Sequence, residues 1–184
     1  KLVPNRFDIA LDAASEKKGE QRLEKMVSGR YMGELFGMAL AELLGTKEHM
    51  HAFTSVDISR ILEDVNGDAQ SAASIVETAT GQMLSAEDAV CVRELARTIV
   101  VRSVRLIAAT FVGTLWQITG EGEIRPQHIA VDGSVYEKMP LVKETMADVF
   151  AELLGEDAPK VDTILASCGS GLGAALAAAM VERG

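Results

Sequence analysis

His128-Ile129-Ala130-Val131-Asp132-Gly133-Ser134 is a short apolar run that opens into a turn. The same texture returns downstream, where Val161-Asp162-Thr163-Ile164-Leu165-Ala166 leads into Cys168-Gly169-Ser170-Gly171-Leu172-Gly173. Apolar runs of this length bounded by Gly, Ser and Pro read as strands. Between them residues 141–154 carry helical periodicity and Pro159 interrupts the chain. After residue 173 an Ala-rich helix runs to about residue 182. Strand, loop, helix, strand, loop, helix is the signature of an α/β layer, and such layers place ligand loops at the carboxyl ends of their strands.

Upstream the chain reads as helices. Leu23, Met26, Val27, Tyr31, Leu35, Met38 and Leu43 recur at three- and four-residue intervals, which predicts one helix over residues 20–44 closed by Gly45. A connecting region over residues 46–66 contains a Ser/Thr/Asp-rich turn at residues 54–57 and a second brief helical pattern. A further helix is expected over residues 69–78. Ser85 followed by Asp88 marks a helix start. From there Val90, Leu95, Ile99, Val104, Ile107, Phe111 and Leu115 outline a long element to Ile118, apolar on most sides and expected to be buried between layers. Its arginines read as ion-pair partners or as stems lying along apolar surface.

The chain has 184 residues, enough for one domain with a sizeable core, and it does not begin with Met, which suggests a fragment. A formal charge of −9 argues against nucleic acid and anionic membranes as partners, because both are bound through clustered Lys and Arg. Arg102 and Arg105 interrupt the longest apolar run, so no membrane span of roughly 20 residues is expected. Cys91 and Cys168 lack CxxC or metal-ligand spacing, and they read as small buried hydrophobes in a reducing cytoplasm. His49, His51 and His128 form no acid–base or metal pattern.

The two strand-end loops carry the chemistry. Glycines at residues 169, 171 and 173 permit close backbone approach, and a helix start presents amides to an anion or ribose; close helix packing alone is the other reading. Asp132, Gly133 and Ser134 bring a carboxylate, a flexible backbone and a hydroxyl that could meet a phosphate, or form a tight turn in which Asp132 bonds its own backbone. If the strands are neighbours, both loops face one crevice. Gln21 and Glu24, three residues apart, would share a helix face, as a solvated surface pair on local pattern alone, although Glu24 has the acceptor capacity that sugar hydroxyls need.

Several segments then add a resemblance. Gly19-Glu20-Gln21-Arg22-Leu23-Glu24-Lys25-Met26-Val27-Ser28-Gly29-Arg30-Tyr31-Met32-Gly33-Glu34-Leu35 closely resembles the hexokinase run of Gln, two residues, Glu-Lys, a glycine-containing turn and Tyr-x-Gly-Glu. Ala52-Phe53-Thr54-Ser55-Val56-Asp57, Val131-Asp132-Gly133-Ser134-Val135-Tyr136 with Lys138 and Pro140, and the segment from Gly169 to Leu176 match later family segments in order. The similarity spans essentially the whole chain. It departs in a shorter connecting loop over residues 48–57 and in Leu172, where the family often has a basic residue.

The resemblance implies a helix-rich α/β fold with a small sheet, of the actin-like ATPase (ribonuclease H-like) type. Residues 1–184 would be the C-terminal part of the large domain, and the small domain, the first phosphate loop and the segment with the catalytic base would lie in a missing N-terminal part of the same protein. By the same resemblance Glu24 contacts the sugar. Gly29, Arg30 and Ser55 lie beside the nucleotide, Asp132, Gly133, Ser134 and Val135 form the second phosphate loop, and Gly169 and Ser170 form the adenosine loop. No catalytic residue and no protein metal ligand fall in this chain. The parent would transfer the γ-phosphoryl group of ATP, with Mg²⁺, to the 6-hydroxyl of glucose or a similar hexose. A sugar- or nucleotide-sensing relative without catalysis is the rival reading, and a helical scaffold without ligand is a third.

Overall fold

The computed structural model describes residues 3–46, 52–120, 122–166 and 169–181. His49, His51 and Cys168 fall outside them. Helix α1 (Arg6–Ala14) starts at a reciprocal cap in which the Asn5 side chain accepts from the Asp8 amide and the Asp8 carboxylate accepts from the Asn5 amide. The helix expected over residues 20–44 is two helices, α2 (Arg22–Val27) and α3 (Gly29–Leu43). Ser28 is extended between them: its amide donates to the Glu24 carbonyl at 2.8 Å and its hydroxyl accepts from the Arg30 amide. Apolar periodicity runs through this break unchanged, so the hydrophobic pattern alone merged the two. Gln21 lies in the left-handed region at φ 51° and precedes α2, so it does not share a helix face with Glu24.

The segment read as a turn at residues 54–57 is the start of α4 (Ser55–Glu63), where Thr54 and Asp57 cap each other's amides. Helix α5 (Gln70–Thr80) and the long α6 (Ala86–Thr119) follow. Ser85 caps α6 by accepting from the Asp88 amide at 3.1 Å. α6 is not buried all round. One face, through Ala89, Val92, Ala96, Val100, Val104, Ala108, Val112 and Leu115, forms the floor of the core, while Cys91, Arg97 and Trp116 are exposed. The expectation of a buried Cys91 is thereby corrected: it sits on the polar side of an amphipathic helix. By length and composition alone α6 could cross a bilayer. In this fold α2, α3, α4, α5 and a later helix pack on it, and its arginines are engaged: Arg102 with Asp8, Arg105 with Glu152, and Arg93 with the carbonyls of Asp64 and Asn66.

The last third alternates as expected. Strand β1 (Gln127–Val131) leads to α7 (Ser134–Lys138) and α8 (Val142–Leu154), a 3-10 turn (Gly155–Lys160) contains Pro159, and β2 (Val161–Leu165) and α9 (Gly169–Val181) close the chain. The strands pair in parallel, Gln127 opposite Val161 through Val131 opposite Leu165. Parallel pairing sends both following loops out at the same end. His128 pairs with Asp162 directly across the ladder. α8 packs along α6, and Phe36, Ile58, Val92, Val149 and Phe150 belong to one continuous core that joins this layer to the helices.

Candidate functional site

Three segments meet around a cavity of about 430 Å³ at the carboxyl end of β1. The first is the elbow between α2 and α3. Buried Ser103 on α6 donates its hydroxyl to the Met26 carbonyl at 3.0 Å, which fixes the end of α2 and so the place where Ser28, Gly29 and Arg30 enter the cavity wall. A serine in the core-facing register of an apolar helix was the available signal for this bond, because a buried hydroxyl needs a partner. Gly29 is required by packing: a Cβ there would stand 2.6 Å from Val135 Cγ2 and 3.5 Å from Ser55 Oγ. Gly29 therefore packs close to both Val135 and Ser55, and all three line the same cavity.

The second segment is the start of α4, which contributes Ser55. The third is the turn of Asp132, Gly133 and Ser134 after β1, with Val135 and Tyr136 behind it. Gly133 adopts φ 144° and ψ 147°, a conformation that L side chains rarely enter, although a Cβ there would meet nothing within 4 Å. The glycine is thus demanded by the backbone path and not by crowding. Tyr136 anchors the turn to the neighbouring strand: its hydroxyl lies 3.0 Å from the Thr163 carbonyl oxygen and 2.7 Å from Thr163 Oγ1.

The second loop follows β2. Gly169 opens α9, so Gly169, Gly171 and Gly173 lie in the helix and not in a loop before it. A Cβ on Gly169 would stand 3.6 Å from Asp132 Oδ2, which brings the two strand-end segments into contact. Ser170 lies in the first turn of the same helix. Glu24 stands apart from the cavity wall, exposed on α2. The next residue holds its helix down. Lys25 is buried, and its ammonium donates to Asp12 Oδ1 at 2.6 Å and to the Lys17 carbonyl, while Asp12 also accepts from the Gly19 amide. The Lys25 hydrogen bond, helped by the Gly19 amide, holds the Asp12 carboxyl below its ordinary value. Neither Asp12 nor Lys25 stands out in the sequence, because an ion pair between separate helices leaves no local pattern.

Among the described residues lining the cavity, the charged ones are Arg30 and Asp132. Helices α3 and α4 both begin at its wall, where unpaired amides and the helix dipole favour an anion. A cradle of glycine backbone, the hydroxyls of Ser28, Ser55 and Ser134 and one carboxylate suits a phosphorylated ligand. Among the described residues no group of three or more His, Cys, Asp or Glu could hold a metal ion.

The hexokinase family model matches residues 1–180. The chain belongs to the hexokinase family. It is 36% identical over 189 residues to Hexokinase-1 of Oryza sativa subsp. japonica, covering 94% of this chain and 38% of the rice protein. Hexokinase-1 of Schizosaccharomyces pombe is 30% identical over the full chain, which spans 40% of that protein. Among solved structures, a hexokinase from Schistosoma mansoni complexed with glucose superposes with a TM-score of 0.81 at 25% identity, over 94% of this chain and 40% of that one. A second hexokinase crystal structure gives 0.76 over 90% of this chain. The chain thus spans about two fifths of the hexokinases it matches, and its fold is the helix-rich, actin-like α/β arrangement of that family.

Proposed function

We propose that this chain supplies the nucleotide wall of a hexokinase that transfers the γ-phosphoryl group of ATP to the 6-hydroxyl of glucose or a similar hexose, a reaction at the head of glycolysis. The observation that carries the reading is the meeting of Gly29, Ser55 and the Asp132–Val135 turn around one cavity, with Gly169 against Asp132. Phosphates would lie over the Gly133 turn, where Ser134 and the amides of the helix starts can donate to them, and the adenosine would lie toward Gly169 and Ser170. Arg30 stacks on Tyr31 and presents its charge at the rim. Mg²⁺, which neutralises phosphate charge in such transfers, would be held by the phosphate oxygens, with Asp132 the one carboxylate lining the cavity. Glu24, exposed on α2 and not lining the cavity, would accept hydrogen bonds from the sugar's hydroxyls. Cysteine usage favours a cytoplasmic setting.

A kinase base must reach the attacking hydroxyl, and family resemblance assigns that base to a segment with no counterpart in this chain. The chain by itself is therefore expected to bind nucleotide without turning over sugar. A coupled glucose-6-phosphate assay on the purified chain should give no signal above background. Turnover at rates typical of kinases, roughly 1–100 per second, would overturn the assignment of the base to another part of the protein. Calorimetric titration with ATP separates this reading from a scaffold that binds nothing, which would give no saturable heat.

A further inference from the structure

Beside the main cavity a smaller groove of about 230 Å³ runs between α4 and α7. It shares Ser55, Ser134 and Val135 with the larger cavity, so the two are continuous. Its own walls carry two cations, Arg60 on α4 and Lys138 at the end of α7. Both are exposed, and among the described residues neither has an ion-pair partner. The one carboxylate in the groove, Glu63, accepts from the Ser59 hydroxyl at 3.0 Å. Most other arginines with a described contact are committed to carboxylates, carbonyls or an aromatic ring. In a chain of charge −9, two uncommitted cations converging with three serine hydroxyls on one concavity are a local reversal of sign.

We infer that this groove is an anion subsite, in which Arg60 and Lys138 hold a phosphoryl oxyanion beside the main cavity. Arginine supplies a planar fork that can engage two oxygens, lysine a point charge, and the hydroxyls of Ser55 and Ser134 complete the coordination from the shared wall. The oxyanion is either the far end of a nucleotide's phosphate chain or a separate phosphate compound. The inference extends the nucleotide reading without requiring it.

The test is calorimetric titration of the 184-residue chain with tripolyphosphate, which carries no nucleoside, and separately with ATP, using the wild type, R60A/K138A and G133V. Both cations are exposed, so the double variant should keep its fold, which circular dichroism checks. Tripolyphosphate should bind the wild type saturably, more weakly as salt is raised, and at least tenfold more weakly in R60A/K138A. A matching loss of ATP affinity assigns the groove to the nucleotide's own chain, and unchanged ATP affinity assigns it to a separate phosphate compound; both outcomes support the subsite. Tripolyphosphate affinity in R60A/K138A within twofold of the wild type, or no binding to the wild type, overturns it. If tripolyphosphate binds through the pair while ATP binds neither wild type nor G133V, the subsite stands and the nucleotide reading falls.

Discussion

Gly33 packs directly on the backbone of Phe53: a Cβ at position 33 would stand 2.2 Å from the Phe53 carbonyl oxygen and 2.8 Å from Thr54 Cα. Backbone cannot swing aside as a flexible side chain can, and the Phe36 and Phe53 rings, edge to face at 5.0 Å, lock the same contact. The glycine of the Tyr-x-Gly-Glu segment is thus a packing requirement that sets the start of α4, and with it Ser55. G33A should destabilise the chain by about 3 kcal/mol, at the upper end of overpacking costs. The urea midpoint would fall by about 1 M or more. An unchanged midpoint would contradict this contact.

Gly133 makes a different demand. With φ at 144° and open space where a Cβ would go, the first cost of G133V is backbone strain. The expected cost is about 1–3 kcal/mol of stability, together with a tenfold or greater loss of ATP affinity as the turn re-aims Ser134. A G133V chain that binds ATP as tightly as the wild type would separate the turn from the ligand.

Much of this architecture is legible in the sequence, and the exceptions have physical reasons. Both strands, the cap at Ser85 and the Asp132 turn follow from local pattern and turn chemistry. The helix break at Ser28 does not, because the apolar stripe continues across it and the reason for the break lies in Val135 and Ser103, far along the chain. The glycines after β2 read as a loop by composition yet continue α9, since a favourable Ala-rich run behind them extends the helix to Gly169. Contacts among Gly29, Ser55 and Val135 needed the fold. Their assignment to one nucleotide site rests on family resemblance.

The glycines of α9 provide a control. Gly171 is helical and a Cβ there would meet nothing within 4 Å. G171A should raise stability by up to about 1 kcal/mol and leave ATP affinity within twofold. A drop in affinity would return this residue to the ligand-contacting loop that composition suggested.

Acid should loosen the clamp between α1 and α2. Lys25 and the Gly19 amide hold the Asp12 carboxyl below its ordinary value, so the stabilisation is present above about pH 4 and is lost as pH falls through the depressed folded value. D12N lacks this contribution at every pH. Its thermal midpoint should lie below that of the wild type at neutral pH, and the gap should narrow between about pH 5 and about pH 2. A gap independent of pH would mean that the pair does not support the fold.

Y136F removes the link from the turn to Thr163 while keeping the ring. A loss of about 1 kcal/mol is expected, with a modest fall in ATP affinity as the start of α7 loosens. Equal stability in equilibrium unfolding would contradict the anchoring role.

In the function we propose, the α2–α3 elbow and the segments after the two strands form a single nucleotide site. Titration of the isotopically labelled chain with ATP, followed by backbone amide resonances, tests it most directly. One saturable site is expected, with the largest shifts at Gly29, Arg30, Ser55, Asp132 through Val135 and Gly169. Saturable shifts confined to other surfaces, or none at all, would contradict it.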